Sequence, residues 1–507
     1  MPFTAVPGPR NAAATLQSDR PADFLELFLS DELLLLIVDQ TNRYAEQSIA
    51  ALDQRSLPSS RANAWQPLTL VELKRFLGLL FLTGIVKKPS WAEFWSTDRP
   101  IETPFFGETM PRNRFQLIWR FLHFSDNREV DASDRLHKVR PVLDLLLSNF
   151  RKMYLPEENI SVDEGMLHWR GRLRFRVYNP AKPIKYGIKS YILCDSTNGY
   201  CYAMKPYCGI HSTLQDTVGF LTDGLQGFGY RLYMDNFYNS ESLCRLLLSL
   251  QIHTAGTLRV NRGEPPSIRQ ITTSDLAVGE YRARHNGAVM VLAWRDKRIV
   301  RMISTFHPDE MMTVEVRQKG SSVRVLQRKP ACVVGYNQYM NGVDRLDQKI
   351  SYYPFIRRTA KWSSKFVMYM FQIAMSNAFI LFRARNPTAR CRTLKKFILS
   401  VVVAWTSPPP APPLHPSQAA DAMPGPSHAP PPQRRTPVPR RRPASSRSII
   451  DFGGHVPLAV ETPKKKKAFR KCAHCAAKGV RKETHYVCPG CDHLPLCPVP
   501  CYFEYHS

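Results

Sequence analysis

The N-terminal part of the chain repeats apolar residues at the spacing of amphipathic helices. From Asp23 to about Arg128, leucines and aromatic residues recur every three to four positions, with polar residues between them. The first residues, 1–20, lack this periodicity, and we expect them to be disordered. The pattern therefore predicts a helical domain over residues 21–150.

After residue 150 the apolar pattern changes to the period of two that β-strands show. Ile160–Leu167 alternates, and two further apolar runs flank Asn198-Gly199, which is the strongest short signal for a β-hairpin. Another β run, a helical pattern over Ser240–Leu250 and a further strand pattern follow. The order strand, hairpin, strand, helix, strand predicts an α/β fold over residues 151–260.

The next segments predict an interruption of this fold and its completion. Residues 261–330 contain five short strand patterns separated by turn residues, so we expect a β-rich insertion. Helical spacing resumes by Tyr339 and continues to about Arg385, with a break near Pro354. We therefore assign residues 331–400 to the helical part of the α/β core.

A proline-rich and basic stretch follows the helical part. Prolines cluster between Pro408 and Pro443, and Lys464–Lys467 begins a run of basic residues. Such composition predicts a disordered linker over residues 401–470. A Lys/Arg run of this kind is typical of nuclear import signals or nucleic-acid contacts, so we expect a nuclear protein. The alternative is a solvated charge run without a partner.

The charge balance points to a polyanionic partner. The 507 residues include 70 Lys+Arg and 42 Asp+Glu, a formal net charge of +28. This excess attracts nucleic acid, although it can also serve solubility alone. The first twenty residues do not resemble a signal peptide, and the most apolar stretches, Leu33–Val38 and Phe397–Trp405, are shorter than the ~20 residues of a membrane span. We expect a reducing compartment, no membrane partner and no small-molecule substrate.

Half of the 12 cysteines lie between Cys472 and Cys501. In a reducing compartment, pairs of cysteines at close spacing indicate metal ligands. The interleaved pairs predict a cross-braced module over residues 471–507 that binds two Zn²⁺ ions, as RING and PHD domains do. The eighth ligand is one of His474, His485 and His493, and we take His485. The predicted zinc ligands are Cys472, Cys475, His485, Cys488, Cys491, Cys497, Cys501 and His506.

Three aspartates lie where a nuclease would place its metal ligands. Asp163 lies in a strand pattern, Asp235 ends a β run, and Asp344 lies near the start of the late helix. Cleavage of phosphodiesters by two Mg²⁺ or Mn²⁺ ions needs carboxylates that converge on one point. Any single aspartate is more often a cap or a surface residue, but three in this layout match an RNase H-like nuclease core.

The segments around these aspartates resemble those of piggyBac transposases. The resemblance extends from about Ala22 to Arg385 and resumes in the cysteine-rich tail. Its motifs are Ser161–Glu164 (SVDE), Trp169–Arg172 (WRGR), Asn179–Lys189 (NPAKPIKYGIK), Tyr233–Ser240 (YMDNFYNS) and Tyr336–Gln348 (YNQYMNGVDRLDQ).

This resemblance implies an RNase H-like fold with Asp163, Asp235 and Asp344 as catalytic metal ligands and Asp347 as a further acid near the metals. It implies a homodimer that nicks the transposon ends in double-stranded DNA. The freed 3′-hydroxyl attacks the opposite strand to form a hairpin, and the ends join to a TTAA target. The helical N-terminal region would serve dimerisation and DNA binding, and the zinc tail would bind the terminal repeats.

Basic residues follow the first aspartate closely. Arg170, Arg172, Arg174 and Arg176 alternate, so on a strand they would line one face and contact phosphates. A splayed base could stack on one of the aromatic residues near them, which are Trp169, Phe175, Tyr178 and Tyr186. These aromatics could instead belong to the core. The predicted DNA contacts are Arg170, Arg172, Arg174, Arg176, Lys182, Lys185, Lys189, Arg357, Arg358 and Lys361.

Three functions remain open at this point. The first is an active metal-dependent DNA transposase. The second is a domesticated, transposase-derived nuclear protein that binds DNA without moving it. The third treats the cysteine-rich tail as a ubiquitin-ligase or histone-binding module, which the large basic α/β region disfavours.

Overall fold

A computed structural model describes most of the chain. The described residues are 1–53, 61–129, 131–180, 184–210, 212–317, 323–355, 359–407, 458–459, 470–484, 486–488, 491–492, 494–497 and 501–506. They divide into two compact units, Met1–Ala411 and Pro412–Ser507.

Helices dominate the first 153 residues, as their apolar spacing predicts. Thr69 starts the fourth helix by accepting a hydrogen bond from the Glu72 amide at 3.2 Å, and Phe76, Leu77 and Leu80 on that helix are buried. The helices are α1 Ala12–Thr15, α2 Pro21–Glu26, α3 Asp31–Asp53, α4 Leu70–Leu82, α5 Pro104–Thr109, α6 Arg112–Phe121 and α7 Arg140–Met153, with single turns at Arg61–Ala64, Ala92–Trp95 and Arg99–Ile101.

The expectation that residues 1–20 are disordered is wrong. Gly8–Pro9 (β1) pairs antiparallel with Tyr154–Leu155 (β2), and Ala13 is fully buried. The Phe3 ring packs edge-on against Tyr230 with 5.0 Å between centroids. Contacts with residues far along the chain order this segment, and such contacts leave no periodic pattern in the sequence.

The centre of the first unit is a nine-stranded sheet. In it, β5 pairs antiparallel with β3 on one side and with β4 and β6 on the other, while β3, β7 and β8 run parallel. The elements are β3 Asn159–His168, β4 Val177–Tyr178, β5 Tyr186–Asp195, β6 Cys201–Pro206, α8 Leu214–Leu221, β7 Arg231–Met234, α9 Glu241–Ser249 and β8 His253–Thr257.

Three of the five strands in the predicted insertion extend this sheet. Strand β11 pairs antiparallel with β8, and β10 and β9 follow it outward, while β12 and β13 form a separate ribbon. The elements are α10 Pro266–Arg269, β9 Tyr281–Asn286, β10 Val289–Arg295, β11 Ile299–Ser304, β12 Met311–Arg317 and β13 Arg324–Pro330.

The late helices begin earlier and end later than their sequence pattern predicts. They are α11 Ala331–Tyr339, α12 Gly342–Tyr352, α13 Trp362–Arg385 and α14 Leu394–Thr406. Val401, Val402 and Trp405 on α14 are buried, so the fold continues past residue 400, where we placed the start of the linker. The Trp405 indole donates to the Glu26 carboxylate at 2.8 Å and ties α14 to α2.

Within the described residues, α13 is the helix that has the length and mean hydropathy of a membrane span. However, 89% of its most apolar window is buried inside the unit, as in a core helix. The rest of the predicted linker, residues 408–457 and 460–469, lies outside the described residues.

The second unit consists of short elements around its cysteines. A three-stranded sheet has the order β14-β17-β18, and β15 pairs with β16. The elements are β14 Leu458–Ala459, β15 Arg470–Lys471, α15 Ala473–Ala477, β16 Glu483–Thr484, β17 Tyr486–Cys488, β18 Leu494–Pro495 and α16 Cys501–His506.

Candidate active site

Asp163 on β3 and Asp235 directly after β7 occupy neighbouring positions in the parallel part of the sheet. Val162 of β3 pairs with Met234 of β7, so the aspartates occupy the next matching positions. Adjacent strands are about 5 Å apart, which brings the two carboxylates within reach of a common ion. Both aspartates are half-buried.

Asp344 lies in the first turn of α12, and the start of this helix contacts β3. The Gly342 amide donates to the Ser161 hydroxyl at 3.1 Å, and any Cβ at Gly342 would overlap that hydroxyl. The absence of a side chain at Gly342 therefore allows α12 to begin directly against β3. The contact is at Ser161, two residues before Asp163. Asp344 itself is exposed.

The charges of all three aspartates influence the pKa of the Tyr336 phenol on α11. Burial raises the pKa of Tyr336 to about 12, and the negative charges of Asp235, Asp163 and Asp344 act in the same direction. Burial likewise raises the pKa of Tyr238, together with the charges of its carboxylate neighbours. All three aspartates thus lie near enough to Tyr336 to influence its pKa, and a metal site shared by them stays a prediction.

The backbone after β7 holds Asp235 in a fixed turn. Its carboxylate accepts the Phe237 amide at 2.8 Å. The buried Asn239 side chain donates to the carbonyls of Met234 at 2.8 Å and Thr257 at 3.0 Å, which joins the ends of β7 and β8. A Cβ at Gly256 would overlap the Met234 carbonyl, so the close approach of these strands requires glycine.

Asp347 lies one turn after Asp344 on α12 and acts on a different neighbour. Burial raises the pKa of Tyr369 on α13, and the charge of Asp347 raises it further. A metal-binding role for Asp347 stays a prediction.

The basic residues after β3 do not line one strand face, contrary to the prediction. Strand β3 ends at His168 and β4 covers only two residues, so the alternating arginines lie in a loop. All four are exposed, and the Arg176 guanidinium donates to the Arg170 carbonyl at 2.8 Å, which folds the loop on itself.

The aromatic residues near this loop separate into core and surface. Trp169 and Phe175 are buried, so the core alternative holds for them. Tyr178 and Tyr186 are exposed and contact each other with 4.6 Å between centroids.

The predicted lysine contacts differ in their surroundings. Lys185 is exposed. Lys189 forms an ion pair with Glu164 at 3.0 Å. Lys361 is half-buried and donates to the Arg120 carbonyl of α6, and burial lowers its pKa to about 8. Lys182, Arg357 and Arg358 lie outside the described residues.

The cysteines of the second unit form two groups that could each hold a metal ion. The Sγ atoms of Cys472, Cys475, Cys497 and Cys501 lie within 4.8 Å of one another, which joins the first pair to the third. Cys488 and Cys491 meet His506, whose Nε2 is 3.4 Å from each sulfur. The interleaving of pairs is thus confirmed, while His485 lies outside the described residues.

The four-cysteine group suits a metal that prefers thiolates. Burial alone would raise the pKa of Cys472, but hydrogen bonds from the Cys475 and Cys497 amides outweigh it and lower the pKa to about 7. The hydrogen bond with Cys501 raises the pKa of Cys475 to about 12, and burial raises the pKa of Cys497. The amides therefore favour one thiolate, and a bound metal ion would have to displace the protons of the other cysteines.

Comparisons with known proteins agree with this geometry. A family model described as Transposase IS4 matches residues 20–379. A solved piggyBac transposase, in a synaptic complex with hairpin DNA, has a TM-score of 0.69 and 26% sequence identity over 80% of this chain and 83% of that one. This chain belongs to the piggyBac transposase family.

Human members of the piggyBac family also match. PiggyBac transposable element-derived protein 2 of Homo sapiens is 30% identical over 382 residues, which are 72% of this chain and 61% of that protein. PiggyBac transposable element-derived protein 3 of Homo sapiens is 30% identical over 71% of this chain and 61% of its own length. The chain therefore spans about three fifths of the length of these relatives.

The sequence analysis did not identify some residues around the piggyBac-type site. Tyr336, Tyr238 and Asn239 lie inside the motifs that carry the resemblance, but their types do not distinguish a site from a core. Their importance becomes visible only through burial and through partners distant in the chain.

Proposed function

We propose that this chain is a piggyBac-type DNA transposase that excises and integrates DNA at TTAA sites by two-metal phosphodiester chemistry. The observation that carries the proposal is the pairing of β3 and β7, which places Asp163 on β3 next to Asp235 directly after β7, while the start of α12, with Asp344, is docked on β3. Three antiparallel strands continued by two parallel ones, in the order β6-β5-β3-β7-β8, support an RNase H-like core.

The donor set at this point fits hard divalent cations. Carboxylate oxygens are the ligands that Mg²⁺ and Mn²⁺ prefer, and Asp163, Asp235 and Asp344 would hold the ions, with Asp347 nearby. When bound, two such ions activate the attacking oxygen and stabilise the leaving one. The protein itself fixes the carboxylates through the Gly342 contact and the Asn239 hydrogen bonds. Tyr336 remains protonated at neutral pH, so its hydroxyl can donate to an oxygen at the site.

The same proposal covers the partners of the enzyme. The exposed arginines near the site and the net charge of +28 support binding to the transposon terminal repeats and target DNA. The two cysteine groups suit two Zn²⁺ ions, and we propose that this unit binds the repeats. A homodimer and a nuclear location complete the proposal.

An excision assay tests the catalytic part. A reporter gene interrupted by a piggyBac-like element with matching ends is co-expressed with the chain, with Asp235→Asn, and with Asp98→Asn at an exposed position as a control. We expect the unmodified chain and Asp98→Asn to restore the reporter equally, and Asp235→Asn to give only background. Equal activity in Asp235→Asn would refute the metal site.

The second candidate is a domesticated DNA-binding protein. The names of the human relatives describe them as derived from a transposable element, and this observation favours it. This candidate is supported if the chain binds the ends of a matched element but does not excise the element.

A further inference from the structure

A cleft of about 860 Å³ lies at the end of β3, next to the start of α13. We call it the strand-end cleft. His168 ends β3, Trp169 follows it, and Lys365 lies in the first turn of α13. The lining residues that matter here are His168, Trp169, Arg170, Gly171, Thr359 and Lys365.

The cations of the strand-end cleft have no acidic neighbour in it. Among the described residues that line the cleft, none is acidic. Lys365 is half-buried, and burial lowers its pKa with no described carboxylate to oppose the shift. Burial also lowers the pKa of His168, and the charges of Lys365 and Arg170 lower it further, so the three side chains lie close together. A half-buried cation in such a group is stabilised by an anion that enters the cleft.

The cleft also contains a hydrogen-bond donor without an acceptor. The Trp169 side chain is 5% exposed, and its indole N–H has no hydrogen-bond acceptor among the described residues. A Cβ at Gly171 would lie 3.0 Å from this nitrogen, so the N–H edge of the ring faces a residue that lines the cleft. Buried N–H groups are nearly always hydrogen-bonded in proteins, which indicates that a ligand supplies the acceptor here.

The start of α13 adds a positive helix end to the cleft. This helix has 24 residues, and the side chain of Lys361, which precedes it, makes no cap hydrogen bond. Amides in the first turn of a helix have no partner within the helix, and the aligned peptide dipoles make this end positive. Thr359 and Lys365, which lie on either side of the helix start, both line the cleft. Phosphate groups bind at helix starts for these two reasons.

Trp169 lies on the same face of β3 as Asp163. Side chains along a strand alternate between its two faces. The Ser161 hydroxyl accepts an amide of α12 at 3.1 Å, and a Cβ at Gly165 would lie 3.0 Å from the Tyr369 hydroxyl of α13. The odd-numbered positions of β3 therefore face these two helices, and Asp163 and Trp169 are both odd-numbered.

The distance between these two positions suits a single stretch of duplex. The Trp169 amide donates to the Tyr186 carbonyl at 3.1 Å, so the pairing of β3 with β5 continues to Trp169. Six residues of extended strand from Asp163 to Trp169 span about 20 Å. One turn of B-DNA is about 34 Å long, so a duplex with one phosphate near Asp163 can place another in the cleft.

We infer that the strand-end cleft binds a backbone phosphate of the DNA that is processed at Asp163. The Lys365 ammonium, the Arg170 guanidinium and the Trp169 N–H contact the phosphate oxygens at the positive end of α13. The inference rests on the proposed function, since the phosphate belongs to the same DNA. Phosphate contacts carry no sequence information but fix the register of a protein on a duplex, so the cleft holds the DNA in place for the aspartates.

A salt titration tests the charge of the cleft. The full-length Asp235→Asn chain, which keeps the DNA intact, binds a blunt duplex with a central TTAA, and fluorescence anisotropy measures the affinity. We expect Lys365→Met to weaken binding about three- to thirtyfold and to reduce the slope of log affinity against log salt concentration by about one. Lys365→Arg keeps the charge and should keep the slope. Lys152→Met removes an exposed lysine of α7 outside the cleft and should change neither quantity.

Lysine acetylation tests for the contact itself. Acetic anhydride modifies the same chain with and without the duplex, and mass spectrometry of its peptides measures the extent of modification at each lysine. We expect the duplex to protect Lys365 and to leave Lys152 unchanged. This measurement needs no substitution in the cleft, so it decides the matter even if Lys365→Met fails to fold. Trp169→Phe, which keeps an aromatic ring without the N–H, should weaken duplex binding about two- to fivefold.

Equal acetylation of Lys365 with and without the duplex, or an unchanged salt slope in folded Lys365→Met, would overturn the inference. Protection of Lys365 by inorganic phosphate at the concentration of the duplex and at constant ionic strength would also overturn it, because the cleft would then select free phosphate. Failure of the proposed function shows separately, as absence of excision by the unmodified chain while the duplex still protects Lys365.

Discussion

At the scale of single residues, two glycines and one asparagine fix the backbone that carries the candidate carboxylates. Gly342 and Gly256 lie where a Cβ would overlap Ser161 and the Met234 carbonyl, and Asn239 satisfies two backbone carbonyls at the end of the sheet. The aspartates were predictable from their positions in the motifs. The glycines were not, because the atoms they avoid belong to other elements.

The buried His307 should contribute to the dependence of stability on pH. Burial lowers the pKa of His307 to about 4, the nearby Arg231 charge adds to this, and the ring bonds to the Ser304 hydroxyl at 2.9 Å. The unfolded chain has a histidine pKa near 6.5, so it binds more protons than the folded chain between pH 6.5 and 4. The stabilisation from neutral His307 is complete above pH 6.5 and falls as pH drops through that interval.

We therefore expect His307→Asn to flatten the decline of the free energy of unfolding between pH 7 and 4.5. Urea denaturation at several pH values measures the slope for both chains. Identical slopes would show that His307 is not the group responsible.

At the scale of elements, the β5–β6 hairpin positions the helix that contains Asp344. Gly199 in its turn has φ +73°, and a Cβ there would lie 2.9 Å from the Arg345 Cβ on α12. The Arg345 guanidinium donates to the Thr197 carbonyl at 3.3 Å, so the turn and the helix are docked. The sequence predicted this hairpin, and the register of β5 and β6 confirms it.

Substitution of this glycine should disturb both folding and activity. Gly199→Ala costs about 1–2 kcal/mol for the left-handed backbone alone, and the clash with α12 adds to that. Gly287→Ala is the matched control, since its φ is +61° but no atom lies within 4 Å of its Cβ. We expect urea denaturation and the excision assay to show a larger loss for Gly199→Ala. Equal losses in the two variants would mean that the docking contact contributes nothing.

At the scale of the whole molecule, the chain combines a large unit with its own hydrophobic core and a small unit built around cysteines. The first unit buries a continuous set of apolar side chains from α2 to α14. The described residues of the second unit have a core made mostly of cysteines. A domain this small gains much of its stability from bound metal.

A chelator should therefore unfold the second unit selectively. We expect amide hydrogen exchange of the full chain to lose protection in residues 470–506 on zinc removal, while residues 1–407 keep theirs. Cys475→Ser should reproduce the effect, and Cys332→Ser, in the first unit, should not. Unchanged protection in residues 470–506 would exclude a structural metal.

The basic surface should make DNA affinity fall steeply with salt. Each phosphate contact contributes about one unit to the slope of log affinity against log salt concentration, so Arg170→Ala or Arg174→Ala should reduce the slope by about one. Titrations of a duplex between low and high salt measure it. If the DNA affinity of the unmodified chain does not change with salt concentration, the basic residues do not contribute to binding through phosphate contacts.

The amino-acid sequence by itself determined the local features of this protein. Helical spacing before residue 128, the hairpin at Asn198-Gly199 and the cysteine pairs follow from interactions between near neighbours, so the pattern of residues is enough. The family resemblance likewise depends on short motifs. The tertiary structure alone decided that Asp163 and Asp235 follow paired positions of neighbouring strands, that the start of α12 packs on β3, that the arginines after β3 lie in a loop and that Lys361 contacts α6. These outcomes depend on contacts between residues tens to hundreds of positions apart, which periodicity and spacing do not encode.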